Sequence, residues 1–326
     1  MALLAVSDLR VWFHTRAGVV RAVDGVDFDI ARGETLGVVG ESGCGKSVTF
    51  YSLLGLLPVP PARIESGAAV YDGVDLLRAD AAVLRGLRGN RVSMVFQDPM
   101  TALNPYMKIG AQVMEPLLAH GMCDRAEARR RAAAMLEAVG LRDVEQRMRM
   151  YPHAFSGGMR QRVVIAMALV SGPDLLIADE PTTALDVTVQ AQILDLIARL
   201  RAERDMAVAL VTHDLGIVAG LCDRVVVMYA GRIVEQADTA DLFKRPMHPY
   251  TRALMDSLPT AHGVGKALRV IPGLPPEMGA PERGCPFAPR CHVALPECRD
   301  AACPLRAYSG NHHATACLRA LRGEWP

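Results

Sequence analysis

Residues Gly40-Glu41-Ser42-Gly43-Cys44-Gly45-Lys46-Ser47 fit the pattern G-x-x-x-x-G-K-[ST], which is the chemistry of a triphosphate cradle. Glycines let backbone N–H groups close around phosphate oxygens, and a helix N-terminus behind them favours negative charge. Gly40, Ser42, Gly43, Cys44 and Gly45 form the cradle, Lys46 can reach the β- and γ-phosphates, and Ser47 can place its hydroxyl on Mg²⁺. A second group is Leu175-Leu176-Ile177-Ala178-Asp179-Glu180, an apolar run ending in two carboxylates. Asp179 is suited to holding Mg²⁺, and Glu180 to polarising an attacking water. A third is Phe155-Ser156-Gly157-Gly158-Met159-Arg160-Gln161-Arg162, where Ser-Gly-Gly before a helical run offers a second anion-binding surface.

A fourth group is the set of C-terminal cysteines Cys285, Cys291, Cys298, Cys303 and Cys317. Their density points to metal, but the paired C-x-x-C knuckles usual for zinc are missing. Widely spread thiolates suit a [4Fe–4S] cluster at least as well as zinc.

The elements that must position these groups follow from periodicity. Thr35 to Val39 predicts an apolar strand running into the phosphate loop, and a helix follows through Gly55. Leu9 to Phe13 and Val23 to Ile30 alternate as strands, and Val92 to Phe96 is a short apolar one. Asp124 reads as an N-cap, with Glu127 three residues on, of a helix running to Val139 and closed by Gly140. Leu175 to Ala178, Ala207 to Val211 and Val225 to Tyr229 read as buried strands, with a helix over Val187 to Arg204 between the first two. Strands alternating with crossover helices predict a parallel sheet, so the fold class is α/β. After Leu258 proline and glycine multiply and five cysteines arrive, which places a domain boundary there.

Composition narrows the partners. The 326 residues carry a net charge of +1, which gives no electrostatic case for nucleic acid. Lysine occurs only at Lys46, Lys108, Lys244 and Lys266, so the loop lysine stands out against an arginine background. Met1 to Val6 is too short for a secretory h-region, and no run of about 20 apolar residues is present to span a membrane. The cytosol is the expected compartment, and its reducing conditions disfavour structural disulfides.

The phosphate loop, the Asp179-Glu180 strand end and the Ser-Gly-Gly turn, in this order, resemble an ABC-type ATPase. The chain departs from the Leu-Ser-Gly-Gly-Gln usual in that family by having Phe155 and Met159 at the ends of the motif. The resemblance implies a parallel-sheet core, an antiparallel β subdomain, a helical subdomain at about 99–172 and a small Cys-rich extension. On it, residues 1–258 form the nucleotide-binding domain and 259–326 the extension. It further implies that Gln97 approaches Mg²⁺ and the water, that Asp186 of Ala184-Leu185-Asp186 acts at a dimer contact, and that His213 senses the γ-phosphate. Phe13 is the ring expected to stack on adenine, with Trp12 as the alternative. In this family two domains face head to tail and each ATP lies between the phosphate loop of one and the Ser-Gly-Gly of the other, so a second ATPase chain is required.

The segments Asp98-Pro99-Met100-Thr101-Ala102-Leu103-Asn104-Pro105 and Met247-His248-Pro249-Tyr250-Thr251-Arg252-Ala253-Leu254, with Phe155 to Arg162, are similar to the peptide/nickel importer subgroup, above all to dipeptide and oligopeptide permease ATPases. That resemblance implies a paired, often different, ATPase chain, two membrane-spanning permeases and an extracytoplasmic peptide-binding protein, with the subunit peripheral on the cytoplasmic face of the inner membrane. Pro99 to Pro105 is then the permease contact. It also implies that Cys285, Cys291, Cys298 and Cys317 ligate a [4Fe–4S] cluster, zinc being the alternative, while Cys303 falls where the family pattern lacks cysteine. Nickel or glutathione-type cargo remains an alternative, as does a soluble iron–sulfur ABC ATPase, although those chains place their cysteines before two fused cassettes.

Overall fold

The computed structural model describes residues 2–182, 185–257, 271–276, 278–279, 283–308 and 313–324. Ala184 and the boundary expected at 258/259 lie outside them. The chain divides into two compact units.

One unit holds Ala31–Glu34 and Ala79–Leu210. Its strands lie in the order Ala207–Thr212, Leu175–Asp179, Val92–Val95. The last two are parallel, with Val92 opposite Leu175 and Val95 opposite Ala178. All of Leu175–Asp179 is buried, as the unbroken apolar run requires. The helices Ile109–Ala119, Arg125–Ala138 and Gly157–Leu169 pack pairwise on one another. Asp124 caps the second of these by accepting from the Glu127 backbone N–H at 2.9 Å, as expected from sequence. That helix buries Ala128, Ala132, Met135 and Leu136, a stripe at helical spacing. It stops at Gly140, whose φ of 81° suits a residue without a side chain.

The other unit holds Ala2–Ile30, Thr35–Arg78 and Val211–Pro326. A four-stranded sheet runs in the order Gly18–Ala31, Ala2–Thr15, Ala62–Tyr71, Val74–Asp75. Ala2–Thr15 is antiparallel to Ala62–Tyr71, with Leu4 opposite Tyr71 and Phe13 opposite Ala62. A second run of strands has the order Arg306–Ala307, Ala314–Thr315, Arg232–Asp238, Arg224–Tyr229, Thr35–Val39. Thr35–Val39 and Arg224–Tyr229 are parallel, with Gly37 opposite Val225. The C-terminal residues therefore extend the same ladder that carries the strand leading to the phosphate loop. They are anchored by Glu235, fully buried, which accepts from the Met247 N–H at 2.6 Å, the His248 N–H at 2.9 Å and His313 Nε2 at 2.7 Å. Such a carboxylate is tolerated inside because every approach is a hydrogen-bond donor.

Among the described residues no helix is long and apolar enough to cross a membrane.

Candidate functional site

The buried strand Thr35–Val39 delivers the chain into the loop, and the helix Lys46–Leu53 begins at its far end. Two glycines are dictated by space. A Cβ on Gly40 (φ 154°) would lie 2.2 Å from the Met228 carbonyl oxygen, and one on Gly45 (φ 103°) 2.3 Å from that of Ala22. Real side chains do not approach that closely, so the backbone can pass here only bare. Lys46 is buried, and its ammonium donates to the Gly40 carbonyl at 2.7 Å and the Glu41 carbonyl at 3.0 Å. The cation is thus held inside the loop, while Ser42 and Gly43 face outward. Cys44 is buried beneath it, 3.7 Å from Lys46 Nζ, and burial pushes its thiol up from the ordinary range. Ser47 follows in the first helical turn, half-buried.

Asp179 ends its strand almost fully buried. Glu180 then takes a φ of 47°, which turns the chain sharply out of the sheet. The parallel register of Val95 on Ala178 brings the residues after each strand side by side. Gln97 Nε2 accordingly donates to Glu180 Oε2 at 3.1 Å, joining two predicted site residues that lie 83 positions apart. The turn is fastened from the Ser-Gly-Gly helix, where buried Gln161 donates to the Pro181 carbonyl at 2.6 Å.

Ser156 caps the helix Gly157–Leu169, its Oγ accepting from the Met159 N–H at 3.4 Å. Ser156 and Gly157 are exposed, and a Cβ on Gly157 would meet nothing within 4 Å. Ser156, Gly158, Met159 and Asp186 line one open pocket together with Arg142, Arg147 and Arg162. A helix start flanked by guanidinium groups is suited to an anion. Met159, which lacks the polar reach of the family's usual glutamine, instead accepts from Arg147 Nη1 at 3.6 Å through its sulfur. Asp186 also caps the helix Val187–Arg204 by accepting from the Val189 N–H at 2.9 Å, so the capping and pocket positions coincide.

His213 is exposed directly after the strand Ala207–Thr212. Phe13 is half-buried in Ala2–Thr15. The face of Trp12, the alternative ring, is covered by the Arg21 guanidinium at 4.4 Å.

Cys285, Cys291, Cys298 and Cys317 line one small cavity, with His248, Phe287, Arg319 and apolar side chains completing the wall. Cys303 does not line it, and its Sγ donates to the Ala301 carbonyl at 3.3 Å. Burial pushes Cys285 up to about 12 and raises Cys291 and Cys317, with neighbouring sulfurs adding to each shift. His248 is fully buried and lowered by that burial to about 3, which keeps its ring neutral. Its Nδ1 accepts from the Tyr250 N–H at 3.1 Å, which leaves the proton on Nε2, 3.8 Å from Cys285 Sγ. Among the described residues no group of three or more His, Cys, Asp or Glu side chains converges as a single metal ion would require.

Sequence reasoning assigns no role to Glu41, Tyr250 or Arg290, although they lie in the quoted loop, the His-Pro-Tyr segment and the Pro-Arg-Cys run. Arg290 forms a two-pronged ion pair with Glu41, 249 residues away, at 2.6 and 2.9 Å. The three arginines around Ser156 are likewise missed. The only signal available was their placement inside or beside the motifs themselves.

Residues 23–183 match a family model described as ABC transporter, and residues 234–298 one described as the oligopeptide/dipeptide transporter C-terminal region. The dipeptide transport ATP-binding protein DppD of Bacillus subtilis is 49% identical over 99% of this chain and 96% of its own. The oligopeptide transport ATP-binding protein OppD of Salmonella typhimurium is 51% identical over 98% of this chain and 94% of its own. The ATP-binding cassette MJ0796, solved as a dimer in a post-hydrolysis state bound to ADP and Pi, is 26% identical with a TM-score of 0.66, covering 72% of this chain and 98% of that one.

Proposed function

The chain belongs to the ABC transporter family, and we propose that it is the ATP-binding and hydrolysing subunit of an importer for di- or oligopeptides. The observation that carries this reading is its likeness, at 49–51% identity over 98–99% of its length, to subunits named for dipeptide and oligopeptide transport. We divide it at 1–258, the nucleotide-binding domain with a helical subdomain at about 99–172, and 259–326, the extension.

Residues Gly40 to Ser47 hold the triphosphate, with Lys46 exchanging its loop carbonyls for phosphate oxygens. Phe13 stacks on adenine. Ser47, Gln97 and Asp179 would hold Mg²⁺, which would offset charge on the phosphate oxygens. Asp179 lies at the C-terminal end of a buried strand, a position from which a carboxylate can reach a cation beside the loop. Glu180 accepts the proton of the attacking water, and Gln97, hydrogen-bonded to it, fixes the carboxylate's direction. His213 faces the γ-phosphate. Ser156, Gly157, Gly158 and Asp186 complete the site of a second ATPase chain, which we take to be a different, related subunit. ATP closes the pair by contacts made only in the closed state, and hydrolysis removes them. Two permeases receive the motion, an extracytoplasmic binding protein supplies the peptide, and the subunit sits on the cytoplasmic face of the inner membrane.

In the tail we read Cys285, Cys291, Cys298 and Cys317 as ligands of a [4Fe–4S] cluster. Four of the five tail thiols line one cavity, and widely spread thiolates suit such a cluster at least as well as zinc. Such a group would cross-link four segments of the tail. Anaerobically purified protein should be brown, with broad absorption near about 400 nm; a colourless preparation with one zinc per chain rejects the cluster.

Deletion of the gene should abolish growth on peptides as the sole amino-acid source, restored by the native chain and not by Glu180→Gln. Unimpaired growth of the deletion strain would remove the peptide assignment.

A further inference from the structure

Glu41 is the second residue of the phosphate loop, and three separate groups hold it. Its carbonyl accepts from Lys46 Nζ at 3.0 Å. Its N–H donates to the Tyr250 hydroxyl at 2.7 Å. Its carboxylate receives Arg290 Nη1 at 2.6 Å and Nη2 at 2.9 Å.

The guanidinium side is equally constrained. Arg290 is only 5% exposed. Its Nε donates to the Pro272 carbonyl at 2.9 Å, Nη1 also reaches the Tyr229 hydroxyl at 3.1 Å, and Nη2 the Ile271 carbonyl at 3.4 Å. It lies near the rings of Tyr229 and Phe287, 5.8 and 5.9 Å from their centroids. Those rings pack on Tyr250, at 4.5 and 5.3 Å between centroids. A buried arginine with this many partners in one geometry is a fixed strut, unlike a surface pair that trades with water.

The chemistry gives the strut a purpose. A carboxylate in a loop that receives a triphosphate repels it, and low local dielectric enlarges that repulsion. Arg290 offsets the charge and draws the carboxylate to one side. Because the same residue's carbonyl holds the Lys46 ammonium before the phosphates arrive, displacing Glu41 shifts the cation from the position it starts from.

We propose that Arg290, assisted by Tyr250, is a positioning residue of the ATP site: it neutralises and anchors Glu41 so that the C-terminal segment presets the phosphate loop. The inference rests on the reading of Gly40 to Ser47 as that loop.

The test is a double-mutant cycle on the full chain, with ATP affinity read by fluorescence titration and folding checked by the thermal midpoint without nucleotide. Arg290→Ala should weaken ATP binding about tenfold, the equivalent of one charge-assisted hydrogen-bond pair. In a Glu41→Gln background, where no carboxylate needs neutralising, the same change should cost less than about twofold, the difference being the coupling between the two residues. A merely structural role for Arg290 predicts equal losses in both backgrounds, and that result overturns the proposal, as does no loss in either. If Arg290→Ala fails to fold, Arg290→Lys runs the same cycle, with an expected loss of about threefold because the charge stays and the fork is lost. Lys46→Ala is titrated in parallel. If it too leaves ATP affinity unchanged, the loop reading falls and the proposal with it; if it weakens binding while Arg290→Ala does not, only the strut is refuted.

Discussion

The phosphate loop and the Ser-Gly-Gly turn both present backbone to an anion, yet they are finished to different degrees. Behind the loop every important group is tied: Lys46 to two carbonyls, Glu41 to Arg290 and Tyr250, and Gly40 and Gly45 against neighbouring carbonyl oxygens. The Ser-Gly-Gly turn has a cap and little more. Ser156 and Gly157 are exposed, and the pocket that Ser156 borders, lined by Arg142, Arg147 and Arg162, is open. One surface is preorganised by its own chain, and the other waits for something to be placed on it. That difference is what the proposed shared site would require, since preorganisation lowers the cost of binding and an open face leaves room for a partner's ligand.

Three substitutions break or sharpen the comparison. Glu180→Gln should have the largest effect, lowering kcat at least about a hundredfold while ATP still binds, because the proton acceptor is lost and the cradle is not. Steady-state hydrolysis within a few-fold of native would remove Glu180 from that role. Ser156→Ala should divide the two surfaces. Hydrolysis should fall about tenfold, with ATP affinity of the isolated chain unchanged, since the proposed role of the turn is to act on a partner's nucleotide. Weakened ATP binding by the lone chain would show that the turn belongs to its own site. Met159→Gln should change hydrolysis by no more than about twofold, because Arg147 already provides Met159 with a polar neighbour and surface changes of this kind are small. A large gain would mean that the sulfur contact limits the open face.

Much of this was legible in the sequence where the determinants are local. The strand Thr35–Val39 and the helix Val187–Arg204 occur with the predicted bounds, because an apolar run and a capped periodic segment encode themselves within a few turns. Asp124 caps where its spacing indicates, and Ser156 caps the helix that its Ser-Gly-Gly turn opens. The long hairpin of Ala2–Thr15 and Gly18–Ala31 extends well past the alternating stretches that announced it, since cross-strand pairing sustains polar residues that periodicity ignores. The attachment of Ala314–Thr315 to Arg232–Asp238, and of Arg290 to Glu41, leaves no local trace. An ion pair across 249 residues is specified by the folded surface and not by spacing. The roles of the cysteines stand between these cases. Their number is visible in the chain and the family pattern sets Cys303 apart, but only the fold gathers the other four around one cavity.

The most direct measurement is the hydrolysis rate per chain across a dilution series, alone and with a candidate sister subunit added in excess. A half-finished site predicts that specific activity falls with dilution and is restored, saturably, by the sister chain. Full specific activity maintained by the lone chain down to concentrations where it is monomeric would contradict the shared site outright.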